Sequence, residues 1–406
     1  MKILVLTTVF PNKQLPSLGV FVRERMFRVA RHCELKVVAP CAWFPGIRLI
    51  KPGYRPKVDQ LEFQDGIEVL HPRFFSIPKF FKCLDGIFLF MSSLLTLFRL
   101  DNRFRFDIID AHFVYPDGVG AVLLGKVLRK PVTITVRESN LRGILQSPLH
   151  RFQICWALRS ADRVFSVCSD LKDIVTSFGV PNEKVTVVPN GVDIDKFKPI
   201  DKTTARNVLN LPQQKKIIIS VGWLIERKGF HRIISVLPRL RETFPDVLLV
   251  IVGGEPSAHS CGLFLKQLVE EFCVQDMVLF AGPKPHGELH LWLSAADIFC
   301  LATSGEGWAN VFLEAMACGL PVATTKVGGN MEVVCSENYG VLFDIDDEVT
   351  MLKALITALR KDWDNDRIIA YAAENTWENR VNQLLTLFAD IHTAQVNKKH
   401  LSKDLP

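Results

Sequence analysis

The sequence predicts an α/β protein of two doubly wound domains. Apolar strands alternate with amphipathic helical stretches along almost the whole chain. About thirteen strand candidates are too many for one comfortable open sheet. A turn-rich stretch, Pro189 to Pro199, separates two strand series and marks the natural break. The 406 residues suit two or three domains, each large enough for its own core.

In the first series the strands are Lys2–Val9, Leu35–Ala39, Ile67–Leu70, Ile108–Ala111, Val132–Val136, Val164–Val167 and Val185–Val188. Each is a short apolar run, mostly rich in β-branched residues, with turn residues at its ends. The opening run meets no small-residue cleavage site, so it reads as a strand and not as a signal peptide. In the second series they are Ile217–Val221, Leu248–Val252, Val278–Ala281, Ile298–Leu301, Pro321–Thr325 and Val341–Phe343. Thr376–Ile391 reads as a helix, and the polar stretch from about Thr393 to Pro406 as a frayed end.

Composition is that of a folded globular protein, 48% hydrophobic and 23% charged. Ten cysteines show no Cys-x-x-Cys or zinc spacing, which argues against a disulfide framework or metal knuckle and suits a reducing cytoplasm. The net charge of +6 is uneven: residues 1–199 carry +11 and residues 200–406 carry −5. The basic half suits an anionic membrane surface or a phosphate-bearing acceptor. No nucleic-acid-binding motif accompanies it, so nucleic acid is not expected as a partner.

The most informative segment is Ser304 to Pro321. It places Glu306 in a Gly-rich turn after a buried strand, and Glu314 on the short helix that follows. Asn310 reads as the N-cap, and Gly319 with Pro321 as the stop. Strand, glycine turn and helix make a phosphate site from backbone N–H groups and the helix dipole. The carboxylates add acceptors for sugar hydroxyls. Together they suit a nucleotide sugar. The plain alternative is an ordinary αβ unit with two solvated glutamates.

This segment resembles the Glu-x7-Glu signature of the retaining, GT-B-type nucleotide-sugar glycosyltransferases, family 4. The likeness continues through Val322 to Val334, and Pro189–Phe197 is similar to the family's linker. The resemblance implies a GT-B fold: two Rossmann-like domains facing across a cleft, residues 1–190 on the acceptor side and 191–375 holding the donor. Residues 376–406 then form a crossover helix and polar tail on the first domain.

It also implies roles. Glu306 would contact donor-sugar hydroxyls, and Glu314 the ribose. Gly222 to Gly229 looks like the family's Gly-Arg-Leu…Lys-Gly loop, so Lys228 would grip the diphosphate. Trp223 replaces the motif arginine, with Arg227 as the candidate substitute. Gly253 opens a second glycine turn near the nucleotide, and Gly307, Trp308, Ala309 and Asn310 supply backbone amides. His112, at a strand end, would line the donor-sugar pocket near the reaction centre. Asp117 reads equally well as a helix cap. Gly19 matches the flexible glycine loop. Arg137 and Ser139 fit the family's His/Arg-Gly-Ser-Asp loop, whereas Glu138 and Asn140 depart from it.

No Asp-x-Asp motif is present, and neither a metal nor another cofactor is expected. The expected partners are a nucleotide-diphosphate sugar and a glycan or lipid-linked acceptor in cell-surface glycan synthesis. A sugar-nucleotide epimerase, a phosphorylase and a non-catalytic nucleotide binder are the rival readings. Gly86 to Phe98 is an uncharged apolar run with Lys79 and Lys82 before it and Arg99, Arg103 and Arg105 after it. It reads either as a buried helix or as an interfacial helix on anionic lipid, which would make the enzyme peripheral on the inner face of the plasma membrane.

Overall fold

The computed structural model describes residues 1–46, 58–77, 80–137, 141–255 and 260–401. Glu138, Ser139, Asn140 and Lys79 lie outside these residues. The chain falls into two compact units, one formed by Met1–Asn190 with the segment from Trp377 onward, the other by Gly191–Thr376.

The strands of the first unit are β1 (Lys2–Leu6), β2 (Glu34–Val38), β3 (Cys41–Trp43), β4 (Leu61–Gln64), β5 (Ile67–Leu70), β6 (Arg73–Phe75), β7 (Ile108–His112), β8 (Val132–Val136), β9 (Arg163–Ser166) and β10 (Val185–Val187). Eight form one sheet in the order β10-β9-β8-β7-β1-β2-β5-β4, parallel except for the antiparallel edge strand β4. Strands β3 and β6 pair separately. β1 stops at Leu6 rather than Val9, because the Thr7 hydroxyl accepts from Val9 N and turns the chain. The turn is held from across the sheet, where Asp117 Oδ2 accepts from Thr8 N at 2.9 Å. Asp117 therefore ties two loops together.

The second unit holds β11 (Lys216–Val221), β12 (Val247–Val252), β13 (Val278–Gly282), β14 (Ile298–Leu301), β15 (Val322–Thr325) and β16 (Gly340–Phe343). Their order is β13-β12-β11-β14-β15-β16, all parallel. Counted within the unit, this is 3-2-1-4-5-6, the nucleotide-binding order whose switch point lies between β11 and β14. Helices Phe230–Thr243 and Glu348–Arg360 cover one face, with Ile233, Leu237 and Leu355 fully buried. Helices Leu289–Ser294 and Asn310–Ala317 cover the other through Leu293, Phe312 and Met316.

The last helix, Trp377–Leu401, continues ten residues beyond Ile391. The tail expected to fray from Thr393 is helical as far as Leu401. Val381, Leu384 and Phe388 from this helix enter the core of the first unit beside Ile3, Val5 and Val188. Phe388 meets Phe165 edge-on at 5.8 Å.

Gly229 joins the loop after β11 to the end of β14. Its φ is 73°, and a Cβ there would lie 1.8 Å from the Ala302 carbonyl oxygen. Both the left-handed backbone and the contact with another backbone exclude a side chain. Gly229→Ala is expected to lower the melting temperature by roughly 5–10 °C, read by calorimetry. An unchanged melting temperature would count against the contact.

Candidate functional site

The loops after β11 and β14, on either side of the switch point, are bonded together. Arg227 O accepts from Ser304 N at 2.9 Å and from Thr303 Oγ1 at 3.0 Å. This brings the expected cations to Glu306. Its Oε1 accepts from Lys228 Nζ at 2.7 Å, Arg227 Nη1 at 2.8 Å and Thr303 Oγ1 at 3.1 Å. Arg227 also donates to Gly305 O at 2.6 Å. Burial pushes the Glu306 carboxyl upward, but Lys228 and Arg227 outweigh it and hold the group below its ordinary value. Two cations against one carboxylate leave the cluster net positive.

The glycine turns lie beside this cluster. Gly222 N donates to Val252 O, and Gly253 N to Gly282 O, each at 3.0 Å. Trp223, which replaces the family's arginine, is 45% exposed. Arg227, beside Lys228, is the arginine that reaches Glu306.

Helix Asn310–Ala317 begins one residue earlier than expected. Ala309 is the N-cap, with extended backbone, and no side chain caps the helix. Asn310, expected as the cap, is its first residue, since the extended backbone ends at Ala309. Among the described residues, the N–H groups of Gly307, Trp308 and Ala309 donate to nothing. The Trp308 indole N–H is buried and also lacks an acceptor among them. One turn into the helix, Glu314 Oε1 accepts from His286 Nε2 at 3.0 Å. His286 packs edge-on against Phe197 at 5.1 Å.

His286 was not among the residues singled out from sequence. It follows Pro283-Lys284-Pro285 at the end of β13, the same kind of strand-end position that selected His112. Thr303 was missed too, since a threonine ending a strand carries no linear signal.

In the first unit His112 ends β7 and is fully enclosed. Nδ1 accepts from Arg137 Nε at 3.2 Å, so the proton of the neutral ring sits on Nε2, 3.2 Å from Asp110 Oδ2. Burial, helped by Arg137 and Arg25 against the pull of Asp110, pushes the imidazole down to about 4. It is neutral at pH 7. Arg137 Nη1 also donates to Asn190 at 2.8 Å, and Arg25 reaches Val188 O, Pro189 O and Asn190. A buried polar network thus runs from His112 to the residue where the first unit ends. Gly19 precedes helix Val20–Val29 with φ 67°, and a Cβ there would sit 2.2 Å from Val9 O. The structure brings Glu306, Lys228 and Arg227 into one cluster, with the Gly222 and Gly253 turns and Glu314 in the same unit. Gly19, His112 and Arg137 belong to the other unit.

Comparison with known proteins shows the family. Residues 201–376 match the glycosyl transferases group 1 family, and residues 27–196 match glycosyltransferase family 4. The chain is 30% identical over 319 residues to a D-inositol 3-phosphate glycosyltransferase of Corynebacterium urealyticum, covering 73% of this chain and 74% of that protein. It is 26% identical over 336 residues to the putative teichuronic acid biosynthesis glycosyltransferase TuaC of Bacillus subtilis, 81% and 82% of the two chains. Among solved structures, sucrose-phosphate synthase from Thermosynechococcus elongatus superposes with a TM-score of 0.77 at 20% identity, over 97% of this chain and 100% of that one. Anabaena HepE in complex with UDP and glucose gives 0.74 at 19%, over 96% and 99%. The chain belongs to the group 1, family 4 glycosyltransferases and has their GT-B fold of two Rossmann-like units.

Proposed function

We propose that this enzyme transfers a sugar, with retention, from a nucleoside-diphosphate sugar to a glycan or lipid-linked acceptor in cell-surface glycan synthesis. The observation that carries the reading is the cluster of Glu306 with Lys228 and Arg227 at the switch point of the second sheet. Its surplus positive charge suits a diphosphate, and it takes up the charge that develops as the sugar–phosphate bond breaks. The free N–H groups from Gly307 to Ala309 add donors at a helix start. Glu306 receives the sugar hydroxyls, and Glu314, oriented by His286, the ribose. His112, neutral and fixed by Arg137 and Asp110, shapes the wall on the acceptor side. Uridine is the favoured base, since the structural neighbour HepE was solved with UDP. The cation pair serves in place of a metal, and activity is expected to survive chelation.

For the acceptor, the first unit offers a cavity of about 800 Å³. Trp43, Phe44 and Phe74 give it aromatic walls, and Asn12, His71 and Arg73 supply polar groups. Such a lining suits a sugar ring attached to an apolar or phosphorylated carrier. We place the enzyme in the cytoplasm; its ten cysteines are all free.

A thermal-shift screen of nucleoside diphosphates and their sugars tests the donor assignment. Selective stabilisation by one base supports it, and none across the set would reject it. Incubating donor without acceptor separates transfer from epimerisation. Glu314→Gln is expected to raise the dissociation constant of the nucleotide about tenfold, with a smaller effect on turnover at saturating donor. Calorimetric titration reads the first and initial rates the second. His286→Ala should shift affinity the same way, since it frees the Glu314 carboxylate to rotate.

A further inference from the structure

Helix Asp85–Phe104 carries apolar residues on two opposite faces. Its inner face, Leu89, Leu97, Leu100 and Phe104, is buried against helix Val119–Leu128 and β6. Its outer face presents Ile87, Met91, Leu95 and Phe98 in one row, exposed by 40%, 63%, 57% and 55%. Just ahead of it Phe80 and Phe81 are exposed as well. A surface helix of a water-soluble domain ordinarily turns a polar face outward.

Among the described residues, the charges around the row that lack a partner are positive: Arg99 and Arg105 are exposed at its C-terminal end, while Arg103 there pairs with Glu68. The helix's two aspartates, Asp85 and Asp101, are held by Lys82 at 3.0 Å and Lys130 at 2.9 Å. By length and composition the helix could cross a membrane. Crossing would strip its inner face from the sheet that it covers.

We infer that this outer face docks on an anionic lipid surface, with the helix lying in the interface. The apolar row enters the boundary between headgroups and acyl chains, and the arginines meet lipid phosphates. A second copy of the chain is a poorer occupant. One row of part-exposed side chains falls short of the about 800 Å² per partner of a stable interface. Asp85, in the first turn of this helix, also lines the acceptor-side cavity. Docking therefore brings that cavity close to the membrane surface.

The test is co-sedimentation of the full-length protein with vesicles of phosphatidylcholine alone or mixed with phosphatidylglycerol, at about 0.1 M and 1 M salt. The wild type is expected to bind the mixed vesicles at low salt. The double variant Met91→Glu/Leu95→Glu should bind at least tenfold more weakly, and high salt should weaken the wild type. No binding by the wild type, or equal binding by the variant, would overturn the inference. So would a wild-type dimer in light scattering that the variant dissolves while vesicle binding stays unchanged. The inference does not rest on the donor chemistry: the thermal shift of both proteins with UDP reads the donor site separately, and the two are expected to match.

Discussion

Glu306→Gln is expected to lower turnover roughly 10²- to 10³-fold, with a much smaller change in nucleotide affinity. The amide keeps the shape but loses the charge that Lys228 and Arg227 share. Both cations then rest on a neutral oxygen, and the sugar hydroxyls lose a charged acceptor. Release of nucleoside diphosphate under saturating donor and acceptor measures the effect; a loss of less than threefold would remove Glu306 from the mechanism. The same variant has a pH signature. The folded Glu306 carboxyl sits below its ordinary value of 4.5. Its contribution to stability is therefore complete above that pH and is lost as pH falls through the lower folded value. Melting curves from pH 7 to 3 should show the variant less stable at neutral pH and the gap closing in acid. A gap that widens in acid would contradict the pairing.

Lys228→Ala is expected to cost about 100-fold or more in kcat/KM for the donor, near 3 kcal/mol. The Lys228 side chain is only 14% exposed, so its charge acts in a poorly screened setting. Removing it leaves Glu306 balanced by Arg227 alone and the site without surplus positive charge. Nucleoside diphosphate affinity should fall with it, whereas affinity for the bare nucleoside should hardly change. Titration of the pair of ligands reads this contrast. Equal losses for both would place Lys228 in general packing and not at the diphosphate. Lys228→Arg should recover part of the loss by restoring the charge.

Much of this was legible in the chain. The long buried strands announced themselves, because a parallel strand covered on both faces is a continuous apolar run. β3 and β6 were not visible, since three residues such as Cys41–Trp43 cannot display a period. β4 was hidden for a different reason: at the sheet edge it reads Leu-Glu-Phe-Gln, half polar. In the site, Glu306 and Lys228 were found because their loops follow strands and carry glycines at telling positions. Their direct pairing was not visible, as it joins residues far apart in sequence and depends on β11 and β14 being neighbours. His286 and Glu314 likewise meet only through the fold. The enclosure of His112 depends on Asp110, Arg137 and Arg25, and only the assembled sheet brings these together.

The placement of Phe388 and its neighbours has a consequence for biogenesis. The second unit is one continuous segment and can complete its core once Thr376 has left the ribosome. The first unit begins earlier but finishes later, because Ile3, Val5 and Phe165 wait for a helix made after the second unit. During translation its sheet therefore has an uncovered apolar flank while the second unit folds. A chain interrupted before Trp377 would carry a finished second unit beside an open first one, and quality control would meet it as an aggregation-prone intermediate.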